Sequence, residues 1–487
     1  MKPASATLAF SSGLLLLCGC MVGPDYRQPA TPTPASWNSD MAGGLVANPA
    51  DPQTLSHWWT VLNDSVLSDL VEQARKGNLD VRKAEAALRE ARADRSIQRA
   101  ALFPMLSANG SGSRTRSSRA VGAGGTANDF ANGFDASWEL DVFGGKRRSL
   151  ESATATMESS EEDLRDALVS LFSEVAVDYV SVRSYQAQIA IVEASVASQS
   201  ETYEIIRWRH ETGFITQLDE DQARLSLEQT RAEIPTLRSD LEQTKHNLAV
   251  LLGQPPGTLK TLLAAAKPVP VTPSEITVGV PADLLRRRPD VRSAERKVAA
   301  QTAQIGVAQA ARYPTFTLNG SIGLESLMVS NLYTIGARTA QVAANATWTL
   351  FDGGKIRENI KKQVAVQEQT LCDYETAVLT ALKDVENALV AYANEQTRRR
   401  ALAEAVRAGQ SALDLARQEY FAGLVDFETV LTTQRSLLSA QRELVISEAT
   451  ITSDLISLYK ALGGGWTPLS ATTTNAATQS NSPHNKS

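Results

Sequence analysis

The stretch LDVRKAEAALREARADRSIQRAALFPMLSANGS at residues 79–111 recurs without a gap at residues 289–321 as PDVRSAERKVAAQTAQIGVAQAARYPTFTLNGS. Twelve of the 33 aligned positions are identical. The same offset of 210 residues pairs Trp138 with Trp348, well outside the matched stretch. Matches at one offset over so long a unit predict a duplicated domain, because the repeats of a solenoid have periods of only about 20–50 residues.

Each copy of the duplicated unit is predicted to contain a helix, two strands, a long helix and a second helix after it. The first helix covers about residues 79–101 in copy one and about residues 289–311 in copy two, and a proline follows each closely. Proline breaks a helix, so these bounds are natural ends. The next stretches are rich in Gly, Ser, Thr, Asn and Ala. Their alternating patterns, such as Thr315–Asn319 and Ala344–Leu350, predict strands.

The long helices are predicted over about residues 146–211 and 355–421, and each is followed, after a glycine break, by a helix that ends at Leu252 or Leu462. A helix of ~66 residues would be ~100 Å long, which exceeds the core of one compact domain. Apolar residues at alternating spacings of four and three predict coiled-coil packing along both helices. These positions, one of them charged, are Leu164, Leu168, Leu171, Val175, Asp178, Val182, Tyr185, Ile189, Val192 and Val196 in copy one, and Leu371, Tyr374, Val378, Ala381, Val385, Ala388 and Tyr392 in copy two.

The repeat divides the chain of 487 residues into six segments. The two copies occupy residues 79–256 and 289–466. A tail rich in Ser, Thr and Asn follows them and is predicted to be disordered. This predicted disordered tail covers residues 467–487. The other three segments are a lipoprotein signal peptide at residues 1–19, an N-terminal extension and equatorial segment at residues 20–78, and a linker or equatorial segment at residues 257–288.

The N-terminus has the pattern of an export signal. Lys2 precedes an apolar stretch at residues 6–17 that is too short to span a membrane. The ending LCGC at residues 17–20 resembles a bacterial lipobox, which implies that Cys20 is lipidated and becomes the first residue of the mature chain. The alternative is ordinary cleavage that leaves Cys20 free. Met21 rather than Asp follows it, and by resemblance to the enterobacterial sorting rule this favours the outer membrane.

The composition argues against several classes of function. The formal net charge is −6, and acidic and basic residues are well mixed, so the chain has no electrostatic footprint for nucleic acid. The four His have no metal-ligand spacing, and the two Gly-Gly-Lys sequences lack the rest of a phosphate-binding loop. No Ser/His/Asp or paired-carboxylate arrangement can be singled out, so we expect no enzyme activity and no cofactor. No disulfide framework is expected, and Cys372 is predicted to be a small packed residue.

Any membrane span is predicted to consist of strands. No stretch after the signal approaches the ~18 consecutive apolar residues that a transmembrane helix needs. Four strands cannot close a barrel, which needs at least ~8 strands. Two, three or four chains would supply 8, 12 or 16 strands, and the residues alone do not choose among these numbers. The alternative is a pair of soluble hairpins.

Motifs spread along the chain resemble those of one family. They are CMVGPDY at residues 20–26 with Pro29, Trp58-Trp59 with the following Asp64, Leu67 and Leu70, LLRRRPDV at residues 284–291 with Ala294-Glu295, LFDGG at residues 350–354 and YKALGGGW at residues 459–466. Together they resemble the TolC-like outer-membrane factors of bacteria, in the NodT-type lipoprotein branch that serves RND-type multidrug pumps. The resemblance covers about residues 20–466.

This resemblance implies a mainly α-helical protein with membrane β-strands, built from tandem helix–strand–strand–helix repeats. It implies a homotrimer whose 12-stranded β-barrel in the outer membrane is continuous with a 12-helix α-barrel tunnel across the periplasm. It also implies a passive exit duct for small molecules such as drugs, anchored in the outer membrane of a Gram-negative cell through the lipid on Cys20. The implied partners are a periplasmic membrane-fusion adaptor protein, an inner-membrane RND-type pump and outer-membrane lipid.

The two glycine breaks carry related sequences, RWRHETGFI at residues 207–215 and RQEYFAGLV at residues 417–425. Glycine at each break suits a left-handed helix C-cap. By resemblance, these turns form the periplasmic tip at which the helical hairpins of the adaptor dock. The docking residues so implied are Arg207, Gly213, Phe214, Ile215, Arg417, Gly423, Leu424 and Val425.

Acidic residues follow each break, and two interpretations of them stay open. Acids in the first turn of a helix interact favourably with its dipole. In a symmetric oligomer they would also form rings at the narrow end of the tunnel, favouring cations and pairing with arginine in a closed state. Arg435 matches the gate arginine of the family, whereas Thr432 stands where the family usually has Asp. The candidate gate residues are Asp219, Asp221, Glu428, Thr432 and Arg435.

Two other functions are kept as alternatives. One is a duct for protein or polysaccharide export, similar to type I secretion. The other is a periplasmic coiled-coil interaction protein without a pore. The lipoprotein branch and the GGGW sequence at residues 463–466 favour the small-molecule duct.

Overall fold

The computed structural model describes residues 21–30, 34–48, 51–120, 124–273, 275–281 and 287–466. The signal peptide, the predicted lipidation site Cys20 and the predicted disordered tail therefore lie outside the described residues, as does part of the LLRRRPDV motif. The chain divides into two compact units, each described by itself. The first lies within residues 1–31, 85–162 and 291–377, and the second lies within residues 32–84, 163–290 and 378–487.

The described elements repeat in order and in length. The two longest helices have 67 residues each, the helices after them have 35 each, and the helices before the strands have 22 each. In chain order the elements are β1 (Leu45–Val46), α1 (Pro52–Ser56), a 3-10 helix (Trp58–Leu62), α2 (Ser65–Gly77), α3 (Leu79–Ala100), β2 (Met105–Ser117), β3 (Gly125–Leu140), α4 (Gly145–Glu211), α5 (Gln217–Leu251), β4 (Ile276–Thr277), α6 (Pro289–Ala310), β5 (Thr315–Ser326), β6 (Arg338–Thr347), α7 (Lys355–Phe421) and α8 (Phe427–Ala461). The tandem helix–strand–strand–helix order predicted from the sequence is confirmed.

The four long strands of the first unit form one antiparallel sheet in the order β2-β3-β5-β6. The β3–β5 pair joins the two copies, with Gly133 opposite Gly323 and Trp138 opposite Leu318. Since β2 and β6 lie at the two ends of this order, each has one edge without a strand partner among the described residues.

One predicted strand bound is wrong. The alternation at residues 344–350 predicts a strand to Leu350, but β6 ends at Thr347. The pairing ends there because the neighbouring strand β5 begins at Thr315, directly opposite Thr347, and is preceded by Pro314, which has no N–H to donate. Just beyond the strand, Trp348 donates its indole N–H to the carbonyl of Arg312 at 3.1 Å. In copy one, Trp138 makes the equivalent bond to the carbonyl of Leu102 at 2.9 Å.

The second unit is organised around aromatic residues of the recognised motifs. Trp58 stacks on Tyr459 with ring centroids 5.6 Å apart, and Trp59 packs edge-on against Phe172 at 4.9 Å. All four side chains are buried. Because stacked and edge-to-face rings bury large apolar areas, the motif residues Trp58, Trp59 and Tyr459 stabilise the unit by packing, together with Phe172.

Charged and glycine residues of two other motifs form hydrogen bonds within the same unit. Arg288 binds Asp290 with two hydrogen bonds of 3.0 and 2.7 Å, and it lies 3.3 Å from the carboxylate of Asp384. Gly465 donates its N–H to the carbonyl of Leu55 at 2.9 Å. The YKALGGGW and RPDV motifs therefore have structural roles here.

The heptad positions pack as the spacing predicts. All the residues named for α4 and α7 are buried or half-buried. Asp178 is the charged member, and burial, with a smaller effect of Glu174, raises its pKa to about 6. The prediction for Cys372 is wrong, since its side chain is exposed. It follows the heptad residue Leu371, and one residue of rotation, about 100°, carries it off the packed stripe.

In the described part of the chain, no helix contains an apolar stretch long enough to cross a membrane.

Candidate functional site

The two helix breaks have the same backbone geometry. Gly213 and Gly423 both have a φ of +77°, in the left-handed region that favours glycine. The N–H of Gly213 donates to the carbonyl of His210 at 2.8 Å, and the N–H of Phe214 donates to the carbonyl of Arg209 at 2.8 Å. The second break repeats both bonds at the same positions. This pattern is the Schellman motif, so both glycines are helix C-caps.

Each break presents one exposed and one half-buried apolar side chain. Phe214 is 73% exposed and Leu424 is 75% exposed. The next residues, Ile215 and Val425, are half-buried. The surrounding helices share one apolar cluster that includes Ile206, Leu413, Ala416, Phe427, Val430 and Leu431, with Ile215 packed against it. The candidate docking residues thus lie over a packed apolar cluster within the second unit. We name the helix ends around the two breaks, residues 198–223 and 413–437, the turn region.

The two breaks differ in the side-chain contacts between the helices on either side of them. In copy one, His210 Nδ1 lies 2.7 Å from a carboxylate oxygen of Glu220, and the Tyr203 hydroxyl donates to the other oxygen at 3.4 Å. The 210-residue offset places Tyr420 and Val430 at the His210 and Glu220 positions of copy two. A polar pair in one copy is therefore replaced by apolar packing in the other.

Tyr420 also connects the two breaks. Its ring lies 5.4 Å from the ring of Phe427, and the guanidinium of Arg209 lies 5.2 Å from its centroid. Burial raises the pKa of Tyr420, the charge of Arg209 opposes this shift, and Asp219 adds to it. The contact is a cation–π interaction between the copies.

The two candidate docking arginines have different environments. Arg207 is exposed and pairs with Glu204 and, at 3.7 Å, with Glu211 on its own helix. Arg417 is half-buried and donates to the hydroxyl of Ser198 at 2.7 Å. A cavity of about 150 Å³ adjoins Arg417 and is lined by Ser198, Glu201, Thr202, Ile205, Ile206, Tyr420, Phe421, Phe427 and Val430.

Acidic residues after each break cap the helices that begin there. Thr216 donates its N–H and its hydroxyl to one carboxylate oxygen of Asp219, at 3.0 and 2.8 Å. In copy two the residue types exchange places, because Asp426 accepts the N–H and the hydroxyl of Thr429 at 2.9 and 2.6 Å. The Thr429 hydroxyl, and then its N–H, lower the pKa of Asp426. These bonds satisfy donors that a helix N-terminus otherwise leaves free.

The remaining candidate gate residues are not brought together within one chain. Gln217 donates to Asp221 at 3.3 Å, and Thr432 donates to Glu428 at 3.4 Å. Arg435 is exposed, and within residues 287–466 and the other described ranges it has no carboxylate at salt-bridge distance. A closed ring of acid and arginine would need residues from more than one subunit.

Three exposed apolar residues near the breaks are absent from the predicted site. Trp208, Leu218 and Phe421 are each at least 60% exposed. They lie within one or two helical turns of the glycines. The signal that could have found them is an apolar residue at a solvent-facing helical position beside a predicted cap.

The comparisons with known proteins agree over nearly the whole chain. The family model for outer membrane efflux proteins matches twice, at residues 70–254 and 280–464, so that both bounds shift by the same 210 residues. Nodulation protein T of Rhizobium leguminosarum bv. trifolii is 32% identical over 468 residues, covering 93% of this chain and 96% of that protein. The toluene efflux pump outer membrane protein TtgC of Pseudomonas putida is 31% identical over 465 residues, covering 94% of this chain and 95% of that protein.

Among solved structures, the outer-membrane channel OprN is 34% identical with a TM-score of 0.87, covering 92% of this chain and all of that one. The Campylobacter jejuni CmeC outer membrane channel has a TM-score of 0.85 at 22% identity, which is a likeness of fold. Two tandem matches to one family model, together with relatives that align over more than nine-tenths of the chain, show that the chain belongs to the outer membrane efflux protein family.

Proposed function

We propose that this protein is one subunit of an outer-membrane channel that serves as the passive exit duct of a tripartite efflux system. The main support for this proposal is the pair of tandem family matches, which coincide with a repeated fold that superimposes on outer-membrane channels. Its relatives bear names such as toluene, solvent and antibiotic efflux pump outer membrane protein. Small molecules are therefore the class of substrate that we propose for this chain.

The sheet supports assembly from several chains. Four strands are too few to enclose a pore, and the outer edges of β2 and β6 are available for a neighbour. Three chains would supply 12 strands, with β2 of each subunit beside β6 of the next. We propose this homotrimer in the outer membrane, anchored by lipid on Cys20.

The turn region supports a docking site for a periplasmic adaptor protein, which in turn engages an inner-membrane RND-type pump. Exposed Phe214 and Leu424 stand on a packed apolar base, as an anchor for a partner helix requires. We propose the adaptor-docking set Arg207, Gly213, Phe214, Ile215, Arg417, Gly423, Leu424 and Val425. The gate set Asp219, Asp221, Glu428, Thr432 and Arg435 is proposed to act between subunits.

The role of a duct requires no chemistry at the chain itself. The relatives are channel proteins, and we propose that this chain is likewise not an enzyme. Energy would come from the pump, and the channel would open when the adaptor engages the turn region.

Conductance and assembly test the proposal together. We expect a heat-resistant trimer in outer-membrane fractions and single-channel current after reconstitution of the purified full chain in planar bilayers. A periplasmic coiled-coil interaction protein would instead be soluble and would give no current. Deleting the gene separates the two export classes: retention of a fluorescent drug in cells supports the small-molecule duct, whereas loss of a secreted protein or polysaccharide with normal drug efflux contradicts it.

A further inference from the structure

The first residues described, Met21–Tyr26, are bound along the first unit, and we name them the strap. Val22 donates its N–H to the carbonyl of Phe143 at 3.2 Å, in the turn between β3 and α4. Tyr26, at the other end of the strap, donates its hydroxyl to Glu295 of α6 at 2.7 Å. The strap thus runs from the strand end of copy one to the first helix of copy two.

Arg148 holds the strap at its centre. Its side chain is 1% exposed although it carries a permanent charge. Nε donates to the carbonyl of Val22 at 3.1 Å, and Nη2 donates to the carbonyl of Gly23 at 3.2 Å and to the carboxylate of Asp25 at 2.8 Å. Nη1 donates to Glu151 at 2.8 Å. Three of its four bonds go to the strap, so the buried guanidinium is oriented as a receptor for this segment.

The strap also fits its groove at the level of the backbone. Gly23 has a φ of +98°, and a Cβ built on it would lie 2.4 Å from the Cα of Gly306 in α6. A Cβ on Gly306 would in turn lie 2.8 Å from Cγ of Arg148. Side chains at either position would prevent the approach. Beyond Gly23, Tyr26 packs against Ala155, Ala299 and Ala300 and lies 5.4 Å from the guanidinium of Arg296.

The duplication allows a comparison with the positions equivalent to Arg148 and to the groove residues. Arg148 and Glu358 occupy the same helical position, since each donates its N–H to the carbonyl of the glycine that directly precedes the helix, Gly144 at 2.8 Å or Gly354 at 3.0 Å. The groove residues Ala299, Ala300 and Gly306 correspond at the 210-residue offset to Arg89, Glu90 and Ser96, which are exposed. The small residues that admit the strap therefore have no counterpart at the equivalent positions of copy one.

We infer that Arg148 is a positioning residue that fixes the strap in this groove and so holds Met21, which directly follows the proposed lipidation site, next to the end of β3. The inference rests on the proposed lipidation of Cys20 and adds the group that places the lipid. Cys20 directly precedes Met21, and neighbouring Cα atoms are only about 3.8 Å apart. The same end of the sheet carries Trp138 and the stacked rings of Phe143 and Tyr313, 4.6 Å apart, and such residues favour a membrane–water interface.

Tryptic cleavage after Arg27 tests the inference. Arg27 is exposed and directly follows the strap. A protease binds the residues on both sides of the bond that it cuts, so release of Met21–Tyr26 from the groove should make cleavage faster. In purified full-length protein we expect Arg148→Gln to accelerate this cleavage roughly tenfold, because three bonds to the charged group are lost. Arg148→Lys keeps the positive charge but loses the planar guanidinium that makes several hydrogen bonds at once. Its cleavage rate should lie between those of the unmodified protein and Arg148→Gln. The matched control is Arg95→Gln, whose Nε binds Thr154 at 3.1 Å in the same unit.

The outcomes separate a positioning role from a general loss of structure. If Arg148→Gln exposes tryptic sites throughout the unit, Asp25→Ala decides, since Asp25 is mostly exposed and its removal cannot open a core. We expect this variant to accelerate cleavage a few-fold and to add nothing in the Arg148→Gln background. Wild-type cleavage in both variants, or equal acceleration by Arg95→Gln, overturns the inference. The mass of the released peptide reports acylation separately, so a peptide without lipid refutes the lipid anchor while leaving the strap result intact.

Discussion

Asp178 places a carboxylate in the packed stripe of α4, where copy two has Ala388. Burial raises its pKa from 3.8 to about 6, and Glu174 adds to the shift. Folding therefore disfavours the ionised form of this residue. The energetic cost is fully present above about pH 6, declines as the pH falls, and disappears below the unfolded pKa of 3.8.

Asp178→Asn should therefore stabilise the protein at pH 7 and have little effect at pH 4. We expect a gain of roughly 1–2 kcal/mol at pH 7, after allowance for partial solvent screening of the carboxylate. Thermal unfolding of the purified protein at both pH values measures this. Asp69→Asn, at an exposed aspartate of α2, is the control. An equal change in Tm at both pH values would contradict the assignment.

The exchanged caps at the two helix starts make a second residue-scale prediction. Asp426→Ala removes the acceptor for both groups of Thr429 and should loosen the first turn of α8. The double variant Asp426→Thr with Thr429→Asp transplants the copy-one arrangement and should keep most of the stability. Amide hydrogen exchange over residues 427–431 reports the local effect. Equal protection in Asp426→Ala and the unmodified protein would refute the capping role.

At the scale of elements, each break positions one strongly exposed apolar residue over a shared core. Leu424→Glu and Phe214→Glu should each weaken adaptor binding by about tenfold or more, because an anchor residue in a helix-docking site carries much of the binding energy. Site-specific crosslinking to the adaptor in cells measures this, with drug susceptibility as the functional readout. Single-channel conductance of the purified variants should be unchanged.

The control for the docking prediction is Leu262→Glu, an exposed leucine of the same unit outside the turn region. It should leave both adaptor crosslinking and drug susceptibility unchanged. Crosslinking at the unmodified level in both Leu424→Glu and Phe214→Glu would remove the turns from the docking surface.

The bounds and contacts of the elements show which sequence patterns are sufficient to predict them. The predicted bounds of α7, residues 355–421, agree with the structure because heptad spacing and a glycine cap are local patterns. The alternation at residues 344–350 predicts a longer strand than the structure has, because the end of β6 depends on where its neighbour β5 begins. The His210–Glu220 contact was not predicted, because it depends on how α4 and α5 align after the break. The same holds for the exchange of Thr216 and Asp219 with Asp426 and Thr429.

At the scale of the whole molecule, the repeat predicted the order of the elements and the family motifs predicted the membership that the matches confirm. The number of subunits could not come from the residues, because it depends on edges that one chain leaves open. The role of Arg148 was also missed. Its partners on the strap are more than 120 residues away in the chain, and neither spacing nor motif connects them.

Cysteine crosslinking between the open edges tests the assembly. In a Cys372→Ser background, Ser113→Cys in β2 is combined with single cysteines along β6. Two strands separate β2 from β6, a distance of about 14 Å, so a disulfide within one chain is excluded. We expect a ladder of crosslinked chains that ends at three, visible by denaturing electrophoresis. A ladder that ends at two or four would contradict the proposed trimer.

The open edges of β2 and β6 also have a genetic consequence. A ring closes only if every member offers both edges, so a subunit with one blocked edge can join a neighbour but cannot be followed by another. In a cell that makes both forms in similar amounts, most sets of three subunits would contain at least one blocked subunit, and their unclosed strands would remain prone to pairing with unrelated chains. A mutation that blocks β6 should therefore be dominant over the intact gene, whereas a mutation that prevents folding altogether should be recessive.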